Sequence, residues 1–308
     1  MGILDGKVAI VTGAGNGIGR GEALELAAEG ARVVVNDLGG SLSGDGADKR
    51  PAEEVAELIR ARGGEATANY DSVADFAGSK NIVAQAIDEF GQLDVVVNNA
   101  GIIRDKMIVS MSEDDFDSVL NVHLKGTWNL TKHAAEHWRA ESKAGRQPRA
   151  AIVNTVSSAG LLGNVGQSNY GPAKAAIASL TIISSLELGR YGVRANAVAP
   201  GGVTRMSAAV VADLEVRNAE DYDGEEFSRL NPANSAPMVA WLASDQALHV
   251  TGQVFRAVGD AIGHYLPWHI GAEVSTPKGP RKWKPAEITS AVNTEIFGSR
   301  SAGLQMGG

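Results

Sequence analysis

The chain has 308 residues, of which 44% are hydrophobic and 21% are charged, and its formal net charge is −8. This composition is ordinary for a globular protein, and the lack of a basic cluster argues against a nucleic-acid partner. There is no cysteine, and the six histidines lack metal-ligand spacing, so we expect neither disulfides nor a metal site.

The first predicted element is a strand over Lys7–Thr12, whose unbroken apolar run is typical of a strand buried on both faces of a sheet. A glycine-rich turn follows, and the amphipathic stretch Arg20–Glu29 predicts a helix. This order of elements presents backbone N–H groups and a helix N-terminus to a pyrophosphate. The turn therefore predicts a dinucleotide site with binding residues Gly13, Asn16, Gly17, Ile18 and Gly19.

A second buried strand is predicted over Val33–Asp37, and it ends in the carboxylate of Asp37. An acid at this place accepts hydrogen bonds from a ribose 2′-hydroxyl and repels a 2′-phosphate. Asn16 stands in the turn where a phosphate-binding cation could otherwise lie. Asp37 and Asn16 together predict NAD rather than NADP as the cofactor. The alternative is that Asp37 is a helix N-cap or an ordinary surface aspartate.

The next segment, Leu38–Pro51, is rich in Gly, Ser and Asp and predicts a loop too polar to pack. Two interpretations stay open. The loop passes near the adenosine half of the cofactor, or it is a disordered surface loop.

Four further apolar runs predict buried strands, namely Leu93–Val97, Ala151–Thr155, Arg194–Ala199 and, as the last strand, Gln253–Val258. Helical segments separate them, which indicates β-α-β crossovers. The expected fold class is α/β, a Rossmann-type doubly wound parallel sheet flanked by helices. Trp138–Pro148 is expected to be a polar connection.

Residues 1–262 are expected to form a single domain, in which Val203–Pro232 follows a strand at the carboxyl edge and covers the substrate as a lid. Residues 263–308 are too few to bury an independent core and predict a C-terminal extension. Within it, Pro285–Phe297 predicts a helix with proline at its start. Its aromatic residues are expected to close over the substrate mouth or over a neighbouring subunit.

Tyr170 and Lys174 are four residues apart, so on a helix they share one face. At about 4 Å and an effective dielectric of about 20, an ammonium attracts a phenolate by about 4 kcal/mol. That attraction predicts a phenol pKa shifted from about 10 towards neutrality, which would let Tyr170 take a proton from an alcohol. Taken alone, such a pair also occurs on exposed helix faces.

Ser157 lies thirteen residues before Tyr170, at the end of a predicted strand. Its hydroxyl is expected to hydrogen-bond the alcohol oxygen and stabilise the charge that forms there. Ser158 is the alternative, but neighbouring residues of a strand point to opposite faces, so only one of them reaches the site.

Together these residues resemble the short-chain dehydrogenase/reductase family. The matching motifs are Thr12-Gly13-x-x-x-Gly17-Ile18-Gly19, Asn98-Asn99-Ala100-Gly101, Ser157, Tyr170-x-x-x-Lys174 and Pro200-Gly201. The stretches Val33–Gly40, Ala68–Val73, Val95–Ile102 and Val122–Gly126 are most similar to one branch. It holds the (3R)-hydroxyacyl-CoA dehydrogenase unit of peroxisomal multifunctional enzyme type 2 and bacterial relatives that act on acyl-CoA or steroid substrates.

The resemblance implies a catalytic set of Ser157, Tyr170 and Lys174, and it places His123 where many members have a catalytic asparagine. A proton relay through the main-chain carbonyl could use His123, whereas a proton relay that needs an amide side chain would be altered. The alternative is that His123 is an ordinary helix histidine. It also implies cofactor contacts from Tyr170 and Lys174 and from residues at several strand ends. These are Asp37, Asp71, Ser72, Val73, Asn99, Ala100, Gly101, Pro200, Gly201, Val203 and Thr204.

The expected activity is hydride transfer between NAD(H) and a secondary alcohol or ketone on a lipid-like framework, a 3-hydroxyacyl-CoA or a hydroxysteroid. The alternatives are a ketoreductase for a smaller carbonyl compound and a non-catalytic NAD sensor. The resemblance also implies a homodimer or homotetramer. No apolar stretch is long enough for a membrane span, and Met1–Asp5 lacks a signal-peptide pattern, so a cytoplasmic protein is expected.

Overall fold

The computed structural model describes residues 2–208, 215–266, 273–276, 279–292 and 296. The chain divides into two compact units, Met1–Tyr265 and Leu266–Gly308. In the second unit the structure describes a helix over Pro285–Ala291, and most of its predicted continuation to Phe297 lies outside the described residues. The dependence of this extension on the main domain stays a prediction.

The first unit is built on one eight-stranded sheet in the order β3-β2-β1-β4-β5-β6-β7-β8. Its first seven strands are parallel, and β8 is antiparallel to β7. The strands are β1 (Val8–Thr12), β2 (Arg32–Asn36), β3 (Ala66–Asn69), β4 (Val95–Asn98), β5 (Ala150–Thr155), β6 (Val193–Gly201), β7 (Val254–Val258) and β8 (Ala261–Tyr265). The predicted Rossmann-type α/β fold is confirmed.

Helices cover both faces of this sheet. They are α1 (Gly17–Ala28), α2 (Arg50–Ala61), α3 (Phe76–Phe90), α4 (Glu113–Leu120), α5 (Gly126–Lys143), α6 (Ser158–Leu162), α7 (Tyr170–Leu188), α8 (Arg205–Ala208) and α9 (Ala236–Ala243), followed by α10 (Pro285–Ala291) in the second unit.

Two apolar cores lie on opposite faces of the sheet, and β1 contributes to both. Val11 packs with α1, α2 and α9 on one face, whereas Ile10 packs with α3 and α5 on the other. Because side chains alternate along a strand, a strand covered on both faces must be apolar at every position. This explains the unbroken apolar runs of the sequence, and β1 is buried throughout.

The prediction that Gln253–Val258 is the last strand was wrong, because the chain turns back and adds β8 to the sheet edge. Only Gly259 and Asp260 separate β7 from β8. Gly259 has a φ of +58°, a conformation that glycine adopts without steric cost and that two-residue hairpins need. β8 is only half-buried or exposed, so it lacks the apolar run of a central strand.

The predicted polar connection over Trp138–Pro148 was also wrong in its first part, because α5 continues to Lys143. The Trp138 side chain is buried, and its indole N–H donates to the Leu93 carbonyl oxygen at 2.7 Å. Between α4 and α5 the helix passes through one π-helical turn, Asn121–Lys125. Such turns are rare and often lie at functional sites.

The predicted loop over Leu38–Pro51 ends two residues early, because α2 begins at Arg50. The Ile103 N–H donates to the Leu42 carbonyl oxygen at 3.0 Å, and Arg104 Nε donates to the Ser43 carbonyl oxygen at 2.9 Å. Hydrogen bonds to backbone carbonyl groups of the loop thus hold it against the segment that follows β4.

Across the described ranges, no helix has the length and apolarity that crossing a membrane requires. The same part of the chain contains no group of three or more His, Cys, Asp or Glu residues that could hold a metal ion.

Candidate active site

The predicted site residues gather at the carboxyl ends of neighbouring parallel strands. Gly13–Gly19 follows β1, Asn99–Gly101 follows β4, Ser157 follows β5, and Pro200–Gly201 ends β6. β1 is paired with β2 on one side and β4 on the other, which makes this the point where the strand order reverses. In open α/β sheets, ligands bind in the crevice at that point.

The glycine-rich turn is closed so tightly that one of its residues has no room for a side chain. A Cβ on Gly19 would lie 2.3 Å from the Gly13 carbonyl oxygen and 2.4 Å from Asn99 Nδ2. Since Gly19 is also in the first turn of α1, this packing places the helix N-terminus against the end of β1. The turn can therefore present backbone N–H groups to an anion.

Asn99 fixes the end of β4 against this turn. Its Nδ2 donates to the carbonyl oxygens of Thr12 at 3.0 Å and Gly13 at 3.1 Å. The Thr12 hydroxyl accepts the backbone N–H groups of Asn99 and Ala100, both at 3.1 Å. The amide side chain thus shapes the turn by holding its carbonyl groups in place.

Asp37 faces the same turn from the end of β2. Its Oδ2 accepts the Gly15 N–H at 2.8 Å, and its Oδ1 accepts the Gly39 N–H at 2.7 Å. A carboxylate oxygen has more than one acceptor site, so both oxygens can still receive ribose hydroxyls. Asp37 does not cap a helix, because α2 begins only at Arg50.

The other predicted cofactor residues lie on either side of the turn. Thr204 is close to it, because its methyl carbon would be 3.2 Å from a Cβ on Gly17. At the end of β3, the Asp71 carbonyl oxygen accepts from Asn36 Nδ2 at 2.9 Å, and the side chain of Val73 is buried in the core. Asn16 precedes α1 and makes no side-chain cap hydrogen bond.

Tyr170 is the first residue of α7, and Ser157 is the N-cap of α6. The Ser157 side chain lies close enough to the Tyr170 phenol to lower its pKa, and its Oγ also accepts the Ala159 N–H at 3.2 Å. The neighbouring Ser158 points elsewhere, since its hydroxyl is 2.8 Å from the Tyr265 hydroxyl on β8. Of the two candidate serines, the structure places Ser157 beside the tyrosine.

Lys174 lies one turn further along α7 and is almost fully buried. Its Nζ donates to the Thr155 carbonyl oxygen at 2.7 Å and lies 5.7 Å from the centre of the Tyr170 ring. Burial lowers the pKa of Lys174 to about 7, and the charge of Glu22 opposes this shift.

The predicted fall of the Tyr170 pKa was wrong for this structure. Burial raises the pKa of the phenol, the hydrogen bond from Ser157 lowers it, and the charge of Asp105 raises it. The cost of placing a phenolate in a buried site exceeds the attraction that a nearby ammonium offers. That attraction is strong only at a separation of about 4 Å, whereas Lys174 is turned towards the end of β5.

His123 lies in the π-helical turn, and its ring meets the Tyr170 ring edge-on with centres 5.2 Å apart. Its Nε2 lies 2.7 Å from the Ile102 carbonyl oxygen and 3.1 Å from the Ile102 backbone nitrogen, so the ring contacts both backbone groups of that residue. Burial and the charge of Lys174 lower the pKa of His123 to about 3, and the ring is therefore neutral at physiological pH. A Cβ on Gly101 would lie 2.2 Å from His123 Cε1, which explains the glycine there.

The sequence reasoning missed an ion pair between the turn and the predicted lid. Arg20 follows Gly19 directly, and its guanidinium binds the Glu220 carboxylate through two hydrogen bonds, one of them 3.0 Å from Nε to Oε2. The pair spans 200 residues of sequence, so no local pattern could have revealed it.

Glu22 is a second feature that the sequence reasoning missed. It is 1% exposed, and its Oε2 is buried without a hydrogen-bond partner. Burial raises its pKa from 4.5 to about 8, and the charge of Lys174 opposes this shift. A charged residue four positions after Ile18 and four before Leu26, on the apolar face of α1, was a usable signal.

We expect Glu22→Gln to stabilise the protein relative to the wild type as pH rises from about 5 to about 8. Between pH 4.5 and about 8 the folded state keeps the Glu22 proton while the unfolded state loses it. The unfolded state then binds fewer protons, so this group lowers the free energy of unfolding as pH rises. Thermal unfolding across this range measures the effect, with the exposed Glu57→Gln on α2 as control. Equal pH dependence in the wild type and Glu22→Gln would contradict it.

The chain is similar to a known protein family and to several known proteins. The family described as short chain dehydrogenase matches residues 7–215. Hydroxyacyl-CoA dehydrogenase ChsB1 of Mycobacterium tuberculosis (strain ATCC 25618 / H37Rv) is 40% identical over 297 residues, which cover 96% of this chain and 90% of that protein. Peroxisomal multifunctional enzyme type 2 of Drosophila melanogaster is 42% identical over 241 residues, which cover 78% of this chain and 37% of that enzyme.

Among solved structures, the crystal structure of a short chain dehydrogenase from Mycobacterium avium is similar over its full length. The two chains are 45% identical with a TM-score of 0.84, and the match covers 97% of this chain and 98% of the other.

Proposed function

Because this chain belongs to the short-chain dehydrogenase family and is therefore a nucleotide-dependent oxidoreductase, we propose that it transfers hydride between a 3-hydroxyacyl-CoA and NAD. The observation that carries the proposal is the placement of Ser157, Tyr170 and Lys174 at the sheet edge that also carries the glycine-rich turn. The acyl-CoA part rests on relatives named as hydroxyacyl-CoA dehydrogenase and peroxisomal multifunctional enzyme type 2.

The residues at the sheet edge fit a dinucleotide. The turn at Gly19 leaves no room for a Cβ, which is the close helix–strand packing that a dinucleotide-binding turn requires, and Asp37 presents a carboxylate beside the turn. Asp37 and Asn16 would favour the ribose 2′-hydroxyl of NAD over a 2′-phosphate. The bound nicotinamide would supply the hydride acceptor, and the protein supplies position and polarity.

In the oxidative direction, the Tyr170 oxygen takes the proton of the substrate hydroxyl. Ser157 donates a hydrogen bond to the same substrate oxygen and stabilises the developing charge. Lys174 would hold the ribose hydroxyls of the cofactor, and His123 orders the segment after Gly101 through the Ile102 backbone. In the reductive direction, Tyr170 returns the proton to the carbonyl oxygen.

The Val203–Pro232 segment is the proposed cover of the substrate. Within its described residues, the Val203 N–H donates to the Leu230 carbonyl oxygen at 2.8 Å, which joins its two ends. The Arg20–Glu220 ion pair fixes its middle to the start of α1. These contacts place the segment beside the carboxyl end of β6, where substrates of α/β enzymes bind.

The test is NADH formation by the full-length protein with NAD and a panel of 3-hydroxyacyl-CoAs, hydroxysteroids and small secondary alcohols. The expected result is the highest kcat/KM on a 3-hydroxyacyl-CoA. A clear preference for a hydroxysteroid or a small alcohol would overturn the proposed substrate class. NAD binding without turnover of any compound would overturn the proposed activity and favour the sensor.

Asp37→Ala is expected to lower the ratio of kcat/KM with NAD to kcat/KM with NADP by about tenfold to a hundredfold. A hydrogen bond to a charged group contributes about 1.5–3 kcal/mol, which corresponds to that range. The exposed Asp88→Ala on α3 makes the same change in net charge and is the control. An unchanged cofactor ratio in Asp37→Ala would count against the ribose contact.

A further inference from the structure

The segment that follows β4 packs along the turn that precedes Tyr170. The Lys106 N–H donates to the Gly166 carbonyl oxygen at 2.9 Å, and Asn169 Nδ2 donates to the Arg104 carbonyl oxygen at 3.0 Å. Asn169 is fully buried, and its Oδ1 accepts the Tyr170 N–H at 2.7 Å. These bonds place residue 105 beside the first turn of α7.

Asp105 has one oxygen bound and one oxygen free at this position. Gln167 Nε2 donates to Asp105 Oδ2 at 2.7 Å, and the Gln167 carbonyl oxygen accepts the Gly171 N–H at 2.8 Å. The other carboxylate oxygen, Oδ1, is buried and has no hydrogen-bond partner. Gln167 thus holds a carboxylate next to Tyr170 without neutralising it.

The cations nearest in sequence are engaged elsewhere. Lys106 Nζ is 2.6 Å from the Asp115 carboxylate, and the Arg104 guanidinium binds Asp114 at 2.5 Å. Within the part of the chain that the structure describes, Asp105 has no salt bridge. Asp105 is half-buried and its Oδ1 is shielded from solvent, so a charge there acts more strongly on neighbouring ionisable groups than a charge in bulk water.

We propose that Asp105, held by Gln167, is a positioning residue whose carboxylate opposes the formation of negative charge on the Tyr170 oxygen. This inference rests on the proposed function, in which Tyr170 is the proton-transferring group. Asp105 keeps the phenol protonated to higher pH and thereby sets the pH at which alcohol oxidation begins. It does not contact the reacting atoms.

Four groups face Tyr170, each from a different place in the chain. Ser157 at the start of α6 lies beside the phenol and lowers its pKa, and the neutral ring of His123 packs edge-on against it. Lys174 on α7 has its Nζ 5.7 Å from the ring centre, and burial lowers the pKa of this amine to about 7. Asp105 is the one carboxylate in this set, and its charge raises the phenol pKa in agreement with the geometry.

The direct test is the absorbance titration of the Tyr170 phenolate in the full-length protein, with each protein read against its own Tyr170→Phe version. This subtraction removes the other four tyrosines. In Asp105→Asn the midpoint is expected to move to lower pH, and the phenolate population on the acidic side of the midpoint to rise by about threefold to tenfold. The exposed Asp117→Asn on α4 makes the same charge change and should leave the midpoint in place. A midpoint in Asp105→Asn equal to that of the wild type overturns the proposal.

Two further variants keep the test independent of one substitution. Asp105→Ser also removes the charge and must shift the midpoint in the same direction, whereas Asp105→Glu retains the charge and must keep it near the wild-type value. Thermal unfolding identifies any variant that fails to fold. The charge-based explanation is refuted if the phenolate midpoint of Asp105→Ser equals that of the wild type. It is also refuted if the midpoint of Asp105→Glu equals that of Asp105→Asn.

The pH profile of kcat/KM for oxidation separates this inference from the proposed function. In Asp105→Asn its acidic limb should move to lower pH together with the phenolate midpoint, while the KM for substrate changes little. A spectroscopic shift in a protein that oxidises no compound of the panel would refute the proposed function and leave the electrostatic inference standing. A pH profile that stays in place while the midpoint moves would refute the role of Asp105 in the reaction.

Discussion

Tyr170→Phe is expected to lower kcat for alcohol oxidation by roughly 10³-fold, within the 10²–10⁴-fold range of general acid–base catalysis. The substitution removes the hydroxyl that takes the substrate proton and leaves the ring. Because the ring still packs edge-on against His123 with centres 5.2 Å apart, the start of α7 should keep its place. The loss should therefore appear in kcat rather than in folding or in cofactor affinity.

The measurement is steady-state NADH formation beside an equilibrium titration of NAD binding. Tyr191→Phe, in the turn after α7, removes a hydroxyl outside the site and is the matched control. More than about a tenth of wild-type kcat in Tyr170→Phe would be inconsistent with a general base, whose removal costs at least about 10²-fold. Loss of NAD binding in the same variant would instead point to a disrupted cofactor site.

Gly19→Ala is expected to abolish measurable dinucleotide binding. The added Cβ would lie 2.3 Å from the Gly13 carbonyl oxygen and 2.4 Å from Asn99 Nδ2, and both positions are fixed by hydrogen bonds to each other. Relief of this overlap requires α1 to move away from the end of β1. That movement would misplace the N–H groups that the proposed function assigns to the pyrophosphate.

Gly189→Ala is the control, because no atom lies within 4 Å of a Cβ at that position and its φ is −52°. Calorimetry with NAD, together with thermal unfolding, compares the two variants. We expect Gly189→Ala to bind NAD like the wild type. Unchanged NAD binding in Gly19→Ala would show that the turn accommodates the added Cβ, which would contradict its close packing against Gly13 and Asn99.

The parallel sheet and the residues at its edge were predictable from sequence because local patterns specify them. The apolar run of β1 and the adjacent glycine turn define one β-α unit, and the motifs around Tyr170 indicated the family, which the comparisons confirmed. β8 was missed because it is an exposed edge strand, and the end of α5 was misplaced because Trp138 was treated as part of a polar loop.

The electrostatics of the site could not be read from sequence, since they depend on burial and on contacts between distant segments. Gln167 and Asp105 are 62 residues apart, and their contact exists only because the β4 and β5 ends are neighbours in the sheet. The spacing of Tyr170 and Lys174 correctly put them on one helix. It could not show that the lysine turns to Thr155 or that the phenol is buried.

The close packing of Gly101 and His123 also constrains how this protein can change. A Cβ at position 101 and the imidazole Cε1 of His123 would be 2.2 Å apart, so a side chain at 101 would overlap the space that the ring occupies. A larger residue at 101 becomes admissible only after the ring at 123 has been replaced by something smaller. The two sites are thus expected to show strong epistasis, with single replacements at 101 deleterious and paired replacements tolerated.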